Sequence, residues 1–138
     1  MDSTATWSFL HDGALDRADG AVPGDVALHI SIPYLRKAFQ PTGDGFILKL
    51  IGCTQFELAG DDGTVINDLG QIAQCSLEIL SIESESPLSI YTTYGTLVLA
   101  YDALHLELDT GQAITVPQLD QASAEYWQAW SQRHSGSA

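Results

Sequence analysis

The stretch Leu88-Ser89-Ile90-Tyr91-Thr92-Thr93-Tyr94-Gly95-Thr96-Leu97-Val98-Leu99-Ala100-Tyr101-Asp102-Ala103-Leu104-His105-Leu106-Glu107-Leu108 decides the fold. Its last third alternates: Leu104, Leu106 and Leu108 share one face, and His105, Glu107 and Asp109 share the other. A period of two marks a strand with one buried face. Tyr94-Gly95 breaks the run, and glycine supplies the backbone freedom that a tight turn needs. Residues 88–94, 96–101 and 104–108 therefore read as three strands, the first folded back on the second.

The same pattern extends upstream. Val26, Leu28, Ile30 and Ile32 alternate with Ala27, His29 and Ser31. Residues 46–58 form a long apolar run interrupted at Gly52, where a lone glycine predicts a bulge or a close backbone approach. In 77–82 the alternation slips at Ile79-Leu80, which again predicts a bulge. Residues 7–11 read as the first strand. Asp12-Gly13, Asp19-Gly20, Pro23-Gly24, Gly43-Asp44-Gly45, Asp61-Asp62-Gly63 and Thr110-Gly111 read as turns.

Helix is scarce before residue 115. Residues 33–39 allow one or two turns, and Asn67 or Asp68 can cap a short helix over 69–74. The C-terminal helix is better marked. Thr115 and Gln118 have the spacing of a capping box, and Pro117 falls in the first turn, where its missing N–H costs nothing. Leu119, Ala122, Tyr126 and Trp130 then form one stripe, with Trp127 at its flank. That spacing makes the aromatic face a lid on the core, with Trp127 alone placed to reach beyond it. The expected fold is mainly β (α+β): an antiparallel two-layer sheet or sandwich, or one strongly curved sheet, with this amphipathic helix packed on a face. The expected organisation is a flexible start over 1–6, one globular domain over 7–133 and a flexible tail over 134–138.

Charge narrows the function classes. Eighteen acidic residues face five basic ones, for a formal charge of -13. Such a surface repels phosphate backbones and anionic lipid, which argues against nucleic-acid and membrane partners. It speeds encounter with a basic protein. Acidity alone also keeps a protein soluble. No apolar run approaches the ~18 residues of a membrane span, and the opening residues lack the pattern of a secretory signal. A cytoplasmic protein is the expectation, with a trimmed mature form as the alternative.

Chemistry-bearing residues are sparse. Cys53 and Cys75 lie among apolar residues and make no zinc framework. His11-Asp12 ends an apolar run without the further ligands that a metal hydrolase needs. His29 and His105, with Glu107, would hold a divalent ion only if their strands were neighbours. Asp61-Asp62-Gly63 with Asn67 and Asp68 fails the calcium-loop pattern, because glycine and valine fall at its third and fifth positions. No serine stands in a nucleophile elbow, and Gly43-Asp44-Gly45 places a carboxylate where a phosphate would be repelled. The sequence predicts no catalytic residue, cofactor or metal site, although active sites can assemble from dispersed residues.

Trp7-Ser8-Phe9-Leu10-His11-Asp12-Gly13, Leu50-Ile51-Gly52-Cys53-Thr54-Gln55-Phe56-Glu57-Leu58 and Glu125-Tyr126-Trp127-Gln128-Ala129-Trp130 resemble stretches of small uncharacterised bacterial proteins. The aromatic-then-His-Asp opening is also similar to that of some immunity proteins of bacterial toxin systems. That resemblance implies a small, acidic, non-catalytic protein that covers the site of a cognate toxin, and it carries over no catalytic residue. The leading expectation is a non-catalytic acidic module that binds a basic protein. Its interface residues would be Glu57, Glu83, Glu85, His105, Glu107 and Asp109. Two alternatives stand beside it. One is a small-molecule-binding protein or enzyme, with a pocket between sheet and helix lined by Trp7, Tyr94, Tyr101 and Trp127. The other is a structural homo-oligomer.

Overall fold

A computed structural model describes residues 3–39, 43–60, 62–85 and 88–134. The elements run α1 (Ser3–Phe9), β1 (Ala14–Gly20), β2 (Gly24–Ser31), α2 (Pro33–Arg36), β3 (Gly45–Cys53), β4 (Gln55–Ala59) and β5 (Val65–Ile66), followed by α3 (Leu69–Gln74), β6 (Ile79–Glu85), β7 (Leu88–Thr92), β8 (Gly95–Ala100), β9 (Ala103–Leu108) and α4 (Val116–His134). The strands form two antiparallel sheets, β1-β2-β3-β9 and β5-β4-β8-β7-β6. The mainly β fold read from the alternating runs is the one present.

The two sheets share strands. β3 runs into β4 through one residue, Thr54, and β8 runs into β9 through Tyr101 and Asp102. Hydrogen bonds continue across this corner: Thr54 N–H donates to Ala100 O at 2.8 Å, and Asp102 N–H donates to Ile51 O at 2.8 Å. Gly52 makes the bend. Its φ of 64° lies in the left-handed region, and a Cβ there would strike the Asp102 carboxylate. At the opposite edge Leu15 N–H donates to Leu77 O and Ile79 N–H to Gly13 O, both at 2.9 Å, which ties β1 to β6. The sheets are thus hydrogen-bonded along both margins and enclose one core. Leu28, Ile30, Phe46, Leu48, Leu50 and Leu108 face Phe56, Leu58, Ile90, Leu97 and Leu99, all at most 2% exposed. Full burial of such side chains contributes roughly 1.5–3 kcal/mol each.

Two readings of the sequence are corrected. Residues 7–11 are not a strand; α1 occupies this region, and Thr6, Trp7 and Leu10 are buried together. Positions three and four apart share a helix face, so the apolar run was helical in period. Thr6 sits in the body of the protein, so the ordered unit reaches back past residue 7. Residues 1–2 and 135–138 lie outside the described residues. Ala14–Gly20 forms an edge strand that alternation did not reveal, because Leu15 alone among its residues is buried.

The helix reading holds in detail. Asp68 caps α3 by accepting from Gln71 N–H at 3.0 Å. At α4, Gln118 Oε1 accepts from Thr115 N–H at 2.8 Å, and Thr115 Oγ1 accepts from Gln118 N–H at 3.3 Å, a complete capping box. α4 packs on the sheets and lies against α1 and α2, burying Leu119, Ala122 and Ser123. Tyr126 meets the Tyr34 ring at 4.4 Å. Both Trp127 and Trp130 reach solvent, at 38% and 41% exposure, so Trp127 is not alone in doing so.

Candidate functional site

The predicted interface residues separate onto two outer faces. His105, Glu107 and Asp109 stand on or just beyond β9, in the four-stranded sheet. Strand register places His29, Ile47 and Glu107 in one row across that sheet, and Ala27, Lys49 and His105 in the next. His29 and His105 therefore share a face, but β3 lies between their strands. Two strand spacings and a two-residue stagger separate them by about 12 Å, too far to share an ion. Among the described residues no cluster of three His, Cys, Asp or Glu is arranged to hold a metal.

Two carboxylates of this face meet cations. Lys49 Nζ lies 3.0 Å from Glu107 Oε2, and Arg17 Nε lies 2.7 Å from Asp19 Oδ2. At its end a buried ion pair holds the chain together. Arg36, on α2, is fully buried, and its Nε donates to Asp109 Oδ1 at 3.0 Å and to Gly45 O at 3.1 Å. Its Nη2 lies 2.9 Å from the same Asp109 oxygen, a charge contact rather than an aligned hydrogen bond. Asp109 Oδ2 accepts from Asp44 N–H at 2.8 Å and Gly45 N–H at 3.1 Å. Burial pushes the Asp109 carboxyl up, but those N–H groups and Arg36 outweigh it, and the group titrates below the usual carboxylate range. The Gly43-Asp44-Gly45 loop thus does cradle an anion, and the anion is a side chain of the same protein. A Cβ at Gly43 would collide with the Asp109 carboxylate and Arg36 Nη2. Asp109 is committed to this pair.

The five-stranded sheet presents a different surface. Register aligns Glu57 with Val98 and Ser89, and Ala59 with Thr96 and Tyr91. Glu83 reaches across from β6 and accepts from Thr96 Oγ1 at 3.3 Å. Glu57 accepts from Gln55 Nε2 at 2.6 Å. Both donors are neutral, so both carboxylates keep their charge unmatched. Glu85 is exposed at the end of β6, and Tyr91 is 40% exposed in the middle of the face. None of these five strands contains Lys or Arg. The signal for this asymmetry is plain in the sequence: from Leu50 to Gln132 the chain has twelve carboxylates and no Lys or Arg.

The aromatics proposed to line one pocket do not converge. Trp7 is buried, and its Nε1–H donates to Tyr101 Oη at 3.0 Å. Tyr94 is exposed in the β7–β8 turn. Trp127 packs on α4 beside His11, ring centroids 5.9 Å apart, and beside Tyr34. A cavity of about 650 Å³ does exist between β9 and the start of α4, and of the four aromatics Tyr101 alone lines it.

The remaining residues have structural partners. His11 Nδ1 lies 3.0 Å from Ser8 O, and Asp12 occupies a turn with φ of 71°. Tyr34 Oη–H donates to His11 O at 3.2 Å. Burial, with Asp12 and Tyr126 nearby, pushes the Tyr34 phenol up to about 12. Asp62 accepts from Thr64 N–H at 3.0 Å in a local turn, and Asp61 lies outside the described residues. Both cysteines are free thiols. Burial pushes the Cys53 thiol up, and its Sγ donates to Gln55 O at 3.3 Å. No helix among the described residues is long and apolar enough to cross a membrane. No protein-family model, curated protein or solved structure matches the chain.

Proposed function

We propose that this protein is a non-catalytic binding module that receives a basic protein on the outer face of its five-stranded sheet. One observation carries the reading: Glu57, Glu83 and an exposed Tyr91 share the outer face of strands that hold no cation, with Glu85 exposed at the end of β6. An interface needs an apolar anchor, and aromatic residues supply it most often. The flanking carboxylates add long-range attraction and orient the partner. The opposite sheet offers less, because Glu107 and Asp109 already meet Lys49 and Arg36. In its sharper form the partner is a basic toxin whose site this face covers, as the immunity-type resemblance implies.

The test uses affinity capture from lysate of the source organism with wild type and with the double variant Glu57→Lys/Glu83→Lys. The reading requires a basic partner retained at low salt by wild type and lost with the variant. It also requires the partner to be released as salt rises, because a Debye length of about 10 Å at 0.1 M screens exposed charges. Failure to retain any basic protein, or equal retention by both proteins, overturns it. A second reading, self-association, is favoured by the exposed Trp127 and Trp130 on α4. A monomer at high concentration in light scattering excludes it.

A further inference from the structure

We propose that the cavity between β9 and the start of α4 binds an uncharged small molecule with an apolar body and one hydroxyl or carbonyl group. The volume, about 650 Å³, falls within the range of small-molecule sites. Leu104, Leu106, Ile114 and Val116 supply apolar walls. Three unused hydrogen-bonding features border the same space.

Thr6 is the first. Its side chain lines the cavity, is 1% exposed, and its Oγ1 has no hydrogen-bond partner. Buried hydroxyls are rarely left in this condition, and each instance asks for a missing partner. Tyr101 is the second. Its oxygen accepts from Trp7 Nε1, and its own proton remains a donor beside the cavity.

The third is the backbone edge of β9. Residues 112–114 cover part of this edge: Leu108 N–H donates to Gln112 O at 2.8 Å, and Ile114 N–H donates to Leu106 O at 3.1 Å. The chain then leaves to form α4. Antiparallel alternation puts the Leu104 N–H and C=O on the same edge, beyond the covering segment and in the cavity wall.

Charge selects the ligand. Asp102 borders the cavity, Glu107 beside it is already paired with Lys49, and among the described residues no Lys or Arg lines the space. A carboxylate or phosphate would enter against repulsion, whereas a neutral head group would not. The site is independent of the protein-binding face on the other sheet.

The probes are 1-hexanol and hexanoate, followed by amide chemical shifts in two-dimensional NMR. Hexanol should give saturable shifts at Leu104, Leu106 and Ile114. Hexanoate should bind at least ten-fold more weakly. Thr6→Val keeps the shape and removes the hydroxyl, so it should weaken hexanol at least three-fold while leaving n-hexane binding unchanged. Ala103→Trp, which fills the cavity, should abolish the shifts. The absence of saturable shifts in wild type overturns the proposal. So does hexanoate binding as tightly as hexanol, or a Thr6→Val protein that binds hexanol undiminished.

Discussion

The two outer faces of this protein draw on similar residues and differ in how those residues are placed. On the four-stranded sheet Arg17 and Lys49 each meet a carboxylate within 3.0 Å, and at its end the buried Arg36 of α2 meets Asp109 at 2.9 Å. On the five-stranded sheet Glu57 and Glu83 meet only neutral donors. The formal charge of -13 belongs to the whole chain, but its unbalanced part is concentrated in the half that begins at Leu50. Under the proposed function, net charge favours a basic partner and pairing geometry selects the face that receives it.

The comparison breaks first at the buried pair. Arg36→Met leaves Asp109 buried among groups that fit an ion pair, and the expected loss is about 3–5 kcal/mol by chemical denaturation. A loss below about 1 kcal/mol would mean that the pair is open to solvent. Next comes the corner that joins the sheets. Gly52→Ala forces a Cβ into the left-handed region and against Asp102, at an expected cost of about 1–3 kcal/mol. Smaller still is the exposed pair. Lys49→Ala should cost no more than about 1 kcal/mol and less at high salt. By contrast Glu83→Gln on the other sheet should cost nothing beyond about 0.5 kcal/mol, and at low salt it should stabilise slightly by relieving repulsion.

Titration sharpens the same contrast. The Asp109 carboxyl is held below its unfolded value of about 3.9, so its contribution is present above that pH and is lost as pH falls through the folded value. Arg36→Met should flatten this acid arm. Tyr34 has the opposite sign. With its phenol pushed up to about 12, its contribution is intact below pH 10 and lost as pH rises toward 12. Tyr34→Phe should remove that alkaline loss from a stability-versus-pH curve.

The strands with alternation were legible from sequence, because a half-buried strand must alternate: β2, β3, β8 and β9 follow the pattern closely. The capping box at Thr115 and Gln118 was legible because it is local. Three apolar or aromatic residues in a short run did not distinguish strand from helix at 7–11. The Arg36–Asp109 pair joins residues 73 apart in the chain, and nothing near either one signals it. The cavity escaped for a similar reason. Thr6 reads as part of a polar, loose start until α1 is seen to carry it into the body of the protein.

One consequence follows from the corner at Gly52 and Thr54. Because β3 continues into β4 and β8 into β9, the same two lengths of backbone belong to both sheets. Neither sheet can open while the other stays closed, since the shared strands would have to lose their neighbours in both. The amides of Leu48 and Leu97 should then exchange with solvent in a single cooperative event, so whatever steadies one face slows the breathing of the other.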